Sequence, residues 1–561
     1  MKIQNGSGSY KQSTRELKAA TLFLAPFFVI LSAQIVLGQG FQMTQLNVPG
    51  AQTANTWPHG VNTSAQVVGY YVNTSGATVG FLYAGGKYTT LSYPGATGYT
   101  RASGINDSGT VVGDYQVNGD NVIHSYTYDV KTKAYTPYPD VNGSSTSLYG
   151  VNNAGDKAGA AGGNGVVQGF VEIGGAVTRF YANGNATTFA LAINSSNEAV
   201  GEWFESNGHS HGFSRTPKGA ITEIDYPGGT NTVCFGINDA GEITGSYLNS
   251  SGLSYGFTYI KGQFATTDFA GTRGINNKGA YDGVYWGVDG VQQAYLAVPQ
   301  AFKLSTVKVP KNQQALLWGV NNSNVTVGNY VDSNGTAHGM MISAGKVKNI
   351  DDPKGVSTTC FGINTAGKIV GAYFDSGGNP HGFQYGGGKF TDIPGPAGSV
   401  ASLASGINDS GKVAGFFVDS IGHIHGFVLA GSNYTVLDVP GANGTLARGI
   451  NKAGLVTLQW FDSVGYTQSS LYNGKKFVSV NVPGAAVSQV QAINKAGDIV
   501  YFWSDPYGVG HGALKRGSSY FVFDYPKGSK TGAGGINDSD LMVGSYTPAG
   551  KTAPQAFQGT E

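Results

Sequence analysis

The sequence predicts an all-β protein of tandem β-propellers: twelve four-stranded blades in two six-bladed rings, each ring closed by its own N-terminal outer strand. Three observations predict it. An Ile-Asn or Val-Asn pair recurs at a nearly constant interval. The residues between copies alternate like short strands. The chain ends and the chain middle are incomplete in complementary ways.

The recurring residues are Asn62, Asn106, Asn152, Asn194, Asn238, Asn276, Asn321, Asn364, Asn408, Asn451, Asn494 and Asn537. Their spacings are 44, 46, 42, 44, 38, 45, 43, 44, 43, 43 and 43 residues, which suits a propeller blade of about 40–45 residues. Copy two shows the parse. TRASGIN, TVVGDYQ, NVIHSYTYD and YTPYPD are four strands, separated by NDSG, VNGD and VKTKA. Asn and Asp hydrogen-bond to nearby backbone, and Gly supplies the positive φ of tight hairpins. No 3.6-residue period accompanies the 88 glycines, which argues against helical repeats of similar length.

Within a copy, spacing assigns faces. Seven residues after the Asn stands Gly in ten copies, and nine after it an aromatic in eleven. Positions two apart share a strand face, so the glycine is expected to leave room for a large group from the neighbouring sheet. The residue before Ile-Asn or Val-Asn is Gly, or Ala at Ala192 and Ala492. Only small residues fit where blades crowd the axis, so this strand is read as innermost and the FTxxDxPG phrase as outermost.

Twelve blades exceed the four to eight of one ring. FQMTQLNVPGAQ, from Phe41, is an outer-strand phrase with no blade before it, and the last copy ends APQAFQGTE without an outer strand. The middle repeats this pattern: VQQAYLAVPQ closes copy six and AFKLSTVKVPKNQQ follows. Rings over 41–299 and 300–561 are therefore expected. Strand 41–50 should pair with about 292–298 and strand 302–309 with about 553–558. A single twelve-bladed ring would instead pair 41–50 with 553–558.

Residues 1–38 read as a signal peptide: Lys2, Lys11, Arg15 and Lys18 precede an apolar stretch from Ala19 to Gly38. An uncleaved anchor is the alternative. The protein is expected to be secreted, periplasmic or in the cell envelope, with no membrane contact after cleavage. A net charge of +1 gives no reason to expect a nucleic-acid partner. Cys234 and Cys360 hold one position in two copies, which reads as a small buried apolar site rather than a bridge.

The phrase Gly-Ile-Asn-Asp-x-Gly, then Val-x-Gly-x-Tyr, then His-Gly-Phe resembles the repeat of the bacterial extracellular HAF-repeat family. HGF at 211–213, 381–383 and 425–427, and HGM at 338–340, stand where that family has His-Ala-Phe. Copies one, three, five, six, ten and twelve lack the histidine. The resemblance spans nearly all of the chain after residue 40 and implies an exported bacterial protein with propeller-like repeats. It implies no activity that can be assigned to particular residues.

Six of nine histidines (His124, His211, His338, His381, His425 and His511) share one repeat position and read as structural, bonding neighbouring strands. HSH at 209–211 and HIH at 423–425 place two imidazoles on one strand face, but no further ligand is evident, and no metal is assigned. Eleven residues after the Asn stand Asp332, Asp375, Asp419, Asp462 and Asp505, with Glu205 in the first half. Asp-Ser-x-Gly is good turn chemistry. The functional reading is an acidic rim on the loop face, attracting cations or hydroxyl-rich ligands such as sugars. Calcium is a weak cofactor expectation, since it needs several converging oxygens. No catalytic residue is assigned, because no P-loop, nucleophile elbow or HExxH motif occurs. The leading functional reading is a binding or scaffolding module for an extracellular glycan, peptide or protein. The alternatives are a propeller enzyme acting on polysaccharide, lyase or hydrolase, and a cell-envelope structural protein. Near-identical blades favour the first, since catalysis needs polar residues specific to one blade.

Overall fold

The computed structural model describes residues 40–561 apart from 121, 164–165, 268–270, 287–290, 310–313, 506–507 and 527. The expected signal peptide and its cleavage site near Gly38 lie outside these residues. The described chain is all β, with one 3₁₀ turn at Val141–Gly143. No described helix is long and apolar enough to cross a membrane.

Each repeat forms an antiparallel sheet in sequence order. In unit two the strands are Tyr99–Ile105, Thr110–Gln116, Ile123–Asp129 and Tyr135–Tyr138, as the turn residues require. Units six and twelve take their fourth strand from elsewhere. Gly40–Gln45 pairs with Gln292–Gln300, Thr44 opposite Leu296. Lys303–Thr306 pairs with Gln555–Thr560, Ser305 opposite Gln558.

Strand Gly40–Gln45 does more than the sequence implied. Its other edge pairs with Ser519–Phe523 of unit eleven, Gln42 opposite Phe521. Units six and eleven therefore share one eight-stranded sheet, beside ten four-stranded ones. An unpaired outer edge invites further pairing, and here one strand covers two such edges. Met43, buried beneath it, joins a core with Tyr295 of unit six and Val522 and Trp503 of unit eleven.

The repeated asparagines are all buried, 2–6 % exposed. Each does two jobs. Asn408 Oδ1 accepts the backbone N–H groups of Ser410 and Lys412, shaping its own turn. Its Nδ2 donates to the backbone oxygen of Asn451 in the next unit. Only a short side chain carrying both an acceptor and a donor satisfies both. The donations run Asn62, Asn106, Asn152, Asn194, Asn238, Asn276, and Asn276 donates back to Asn62. A second succession runs from Asn321 through Asn364, Asn408, Asn451 and Asn494 to Asn537, which donates to Asn321.

The small residue before the Ile or Val has the role expected. A Cβ on Gly274 would lie 2.8 Å from the Cα of Gly60, and one on Gly535 would lie 2.9 Å from the Cα of Gly319. The second repeated glycine differs from expectation. A Cβ on Gly371 would strike the Thr359 carbonyl and the Phe383 ring, both from its own sheet. The first strand bulges there, between Cys360 and Gly362, and the third-strand ring fills the remaining space. The glycine makes room for its own unit rather than for the neighbour. Unit-to-unit contact comes instead from the aromatic two residues on: Tyr93, Tyr226 and Tyr525, from preceding loops, stack at 3.9, 3.6 and 3.6 Å on Tyr115, Tyr247 and Tyr546.

Both cysteines are free and buried. Cys234 lies against Gly212 and Cys360 against Gly339, each in the preceding unit. Burial pushes both thiols well above the ordinary range.

Candidate functional site

The structure brings the repeated histidines and the loop carboxylates together. His425 Nδ1 lies 2.9 Å from Asp438 of the outer strand, and Nε2 lies 3.4 Å from Asp419 of the hairpin. His338 lies likewise between Asp351 and Asp332, at 3.0 and 3.5 Å. His211 lies between Asp225 and Glu205, at 2.7 and 3.4 Å, and His511 between Asp524 and Asp505, at 2.9 and 3.8 Å. His124 uses Asp120 and Asp140 at 3.0 and 3.2 Å, and His381 meets Asp375 at 3.0 Å. Five imidazoles also lie over the aromatic of the adjacent strand at 4.4–5.1 Å, as Trp203 does on His211.

The hairpin aspartates spend their other oxygen on turn amides. Asp332 Oδ1 accepts from Asn334 and Thr336, and Asp375 Oδ1 from Gly377 and Asn379. Asp462 has no histidine. Gln468 donates to it and accepts from Asn481, at 3.2 and 2.6 Å, a neutral copy of the same bracket. Each of these carboxylates thus stands in its own hairpin with its own partners. Burial opposes charge on His338, yet its bonds to Asp351 lift its pKa above the ordinary value. His211 and His425 are lifted in the same way by Asp225 and Asp438.

A second group of residues, which the repeat reading did not single out, gathers around Arg273 and Arg101 in the first six units. Arg273 Nη1 lies 3.1 Å from His59 Nε2, and its guanidinium sits 4.8 Å over the Phe235 ring. Arg101 grips Asp114 through two bonds of 2.8 and 2.7 Å and lies 4.7 Å over Tyr99. Asp282 is fully buried; its Oδ1 accepts the Gly274 N–H at 3.1 Å, and its Oδ2 has no hydrogen-bond partner among the described residues. Burial pushes Glu202 up to about 7 and Asp282 up to about 8, against the pull of Arg273. Burial, then the charges of Arg273 and Arg101, hold His59 well below the usual imidazole range. Tyr70 stacks between Trp57 and His59 at 5.3 and 5.2 Å.

These groups come from units one, two, four and six, so no local motif announces them. The signal lies in the register. His59 and Arg273 stand three residues before the repeated Asn, Arg101 five before, Asp114 and Glu202 eight after. In the second half the same places hold Trp318, Phe361, Ser405, Arg448, Gln491 and Gly534; Leu316, Thr359, Leu403, Leu446, Gln489 and Gly532; Asn329, Ala372, Phe416, Gln459, Phe502 and Ser545. Arg448 alone is charged. It donates to Gln491 at 3.0 Å, and burial lowers it to about 10.

No family model and no curated protein matches this chain. Solved structures with some likeness include a virginiamycin B lyase from Staphylococcus aureus, at 13 % identity over 46 % of this chain and 100 % of that one, TM-score 0.29. A gluconolactonase from Xanthomonas campestris matches at 12 % identity over 46 % and 89 %, TM-score 0.31. The SapL1 lectin, solved with α-methyl fucoside, matches at 8 % over 42 % and 89 %, TM-score 0.31.

Proposed function

We propose that the chain is an exported binding protein of two six-bladed β-propellers, 41–299 and 300–561, which takes a hydroxyl-rich, saccharide-type ligand at the axis of the first. The two closed asparagine successions and the pairings of Gly40–Gln45 and Lys303–Thr306 support the division. The repeat phrase supports kinship with HAF-repeat proteins, and the N-terminal basic and apolar segment supports export.

One observation carries the ligand reading: the cluster of His59, Arg101, Asp114, Glu202, Arg273 and Asp282 within an otherwise repetitive frame. Charged groups are costly inside a scaffold that does not need them, and the second half shows that it does not. The cluster offers an acceptor at Glu202 and a donor at Arg273, beside the ring of Tyr70. A hydroxyl donates and accepts, so a polyol satisfies both kinds, and rings beside convergent polar groups are the usual make-up of a small-molecule site.

Screening the purified chain on a glycan array, with and without calcium, tests this. Binding is expected, and Arg273→Gln is expected to lose it. Loss in a variant with Asp→Asn at 375, 419 and 462, with Arg273→Gln unaffected, would move the site to the loop rim. The enzyme reading has one observation in its favour: a half-buried carboxyl poised near neutral pH, Glu202, suits general acid–base work on a polysaccharide. Release of reducing or unsaturated ends from an array hit, lost in Glu202→Gln, supports it; unchanged hit saccharide removes it.

A further inference from the structure

Unit nine differs from every other histidine-bearing unit except unit four in one respect. Its hairpin, Asp419-Ser-Ile-Gly-His423-Ile-His425, carries a second imidazole just before the strand Ile424–Ala430, its ring centroid 6.4 Å from that of His425. Asp419 Oδ2 lies 3.4 Å from His425 Nε2 and 3.8 Å from His423 Nδ1, and one ligand atom from each residue lies within 4.8 Å of the others. Ligands about 2.0–2.1 Å from a tetrahedral zinc stand about 3.4 Å apart. The trio needs only a small inward movement of the exposed His423 ring to reach that spacing.

We propose that Asp419, His423 and His425 form a binding site for a divalent transition metal of the zinc class. The supporting contacts suit it. Asp438 holds His425 Nδ1, which leaves Nε2 for the ion; a carboxylate behind a ligating imidazole is a common outer-shell arrangement. The backbone N–H groups of Ile421 and His423 hold Asp419 Oδ1 at 3.0 and 2.9 Å and aim Oδ2 at the two rings. Phe417 stacks on His425 at 5.0 Å and fixes the ring plane. The site supplies two nitrogens and one oxygen and leaves the solvent side open, so a bound ion keeps a place for water or an external ligand.

Unit four provides an internal control. It also carries two imidazoles two apart, His209 and His211, but Glu205 stands where unit nine has Asp419. Glu205 Oε2 accepts from Asn207 and its Oε1 lies 3.4 Å from His211 Nε2, yet the group that gathers around His211 contains Glu223 and Asp225 rather than His209. His211 Nδ1 already shares a 2.7 Å bond with Asp225. His209 is thus an exposed histidine in the same motif without the site.

Zinc titration of the untagged full chain, freed of metal by chelator and followed by calorimetry, tests the proposal. A saturable zinc site is expected, with affinity at least about tenfold lower in His423→Ala and unchanged in His209→Ala. His423 is 65 % exposed in its side chain, so the variant should fold; its thermal unfolding should match the wild type in the absence of zinc. Asp419→Asn keeps the turn acceptor and removes the carboxylate, and should weaken zinc in parallel. Absence of saturable zinc uptake, or uptake equal in His423→Ala and wild type, overturns the site.

Discussion

The two halves of the molecule are built by the same rules and filled differently. Both join their first strands through six asparagines, and both crowd glycine against backbone at the strand before it. In the first half Arg101, Asp114, Glu202, Arg273 and Asp282 are charged groups held buried or half-buried. In the second, Trp318 donates to Asn329 at 3.0 Å and lies 5.8 Å from Phe361, and one arginine pairs with a glutamine. The difference separates two layers of information. Positions whose atoms touch the next unit repeat, because every unit faces the same neighbour. Positions three before the repeated asparagine also meet the next unit, but through long side chains whose partners vary from unit to unit, as Arg273 meets His59 and Arg448 meets Gln491, and these are free to specialise.

The comparison can be broken at its common layer first. Asn276→Ala and Asn537→Ala each remove the bond that returns a succession to its start, and each leaves buried turn amides unpaired. A loss of about 3 kcal/mol is expected in both, read by urea unfolding. A large loss in one half and none in the other would show that the two frames are not equivalent.

The axial layer should show itself in pH. A carboxyl whose folded pKa is raised favours folding while protonated. That contribution is whole below the unfolded value of about 4 and is lost as pH climbs through the folded value, about 7 for Glu202 and about 8 for Asp282. Stability of the first half should therefore fall between about pH 4 and 8, the span from the unfolded to the folded values. Glu202→Gln with Asp282→Asn should flatten the fall. Melting curves across that range check it, and an unchanged slope would contradict the burial of these groups.

The histidine brackets should matter least. Unit ten already runs on Gln468 and Asn481, so His338→Gln with Asp351→Asn should cost less than about 1 kcal/mol, as for exposed pairs. The His338 pKa is raised, so its contribution is full below about 6.5 and is lost as pH rises through the folded value. The double variant should remove that component, visible in melting curves taken above and below neutral pH.

Much of the frame was legible because it repeats. The Ile-Asn interval placed every unit, and the strand order within a unit followed from turn residues. The unmatched outer-strand phrases at Phe41 and Phe302 led to pairings with Gln292–Gln300 and Gln555–Thr560. The role of Gly371 was misread because a bulge at Cys360 leaves no mark in residue spacing. The second pairing of Gly40–Gln45, with unit eleven, was hidden because nothing in one strand reports what covers its other edge. The axial cluster was hidden for a related reason. Its members lie far apart in sequence and meet only because unit six packs against unit one, as Arg273 meets His59.

Affinity for a saccharide that the chain binds on the array, measured by calorimetry in paired axial variants, tests the central claim most directly. The account predicts that Arg273→Gln abolishes binding while Arg448→Gln, its counterpart in the second half, leaves it unchanged. Binding that survives Arg273→Gln, or is lost equally in both variants, would contradict a ligand site at the first axis.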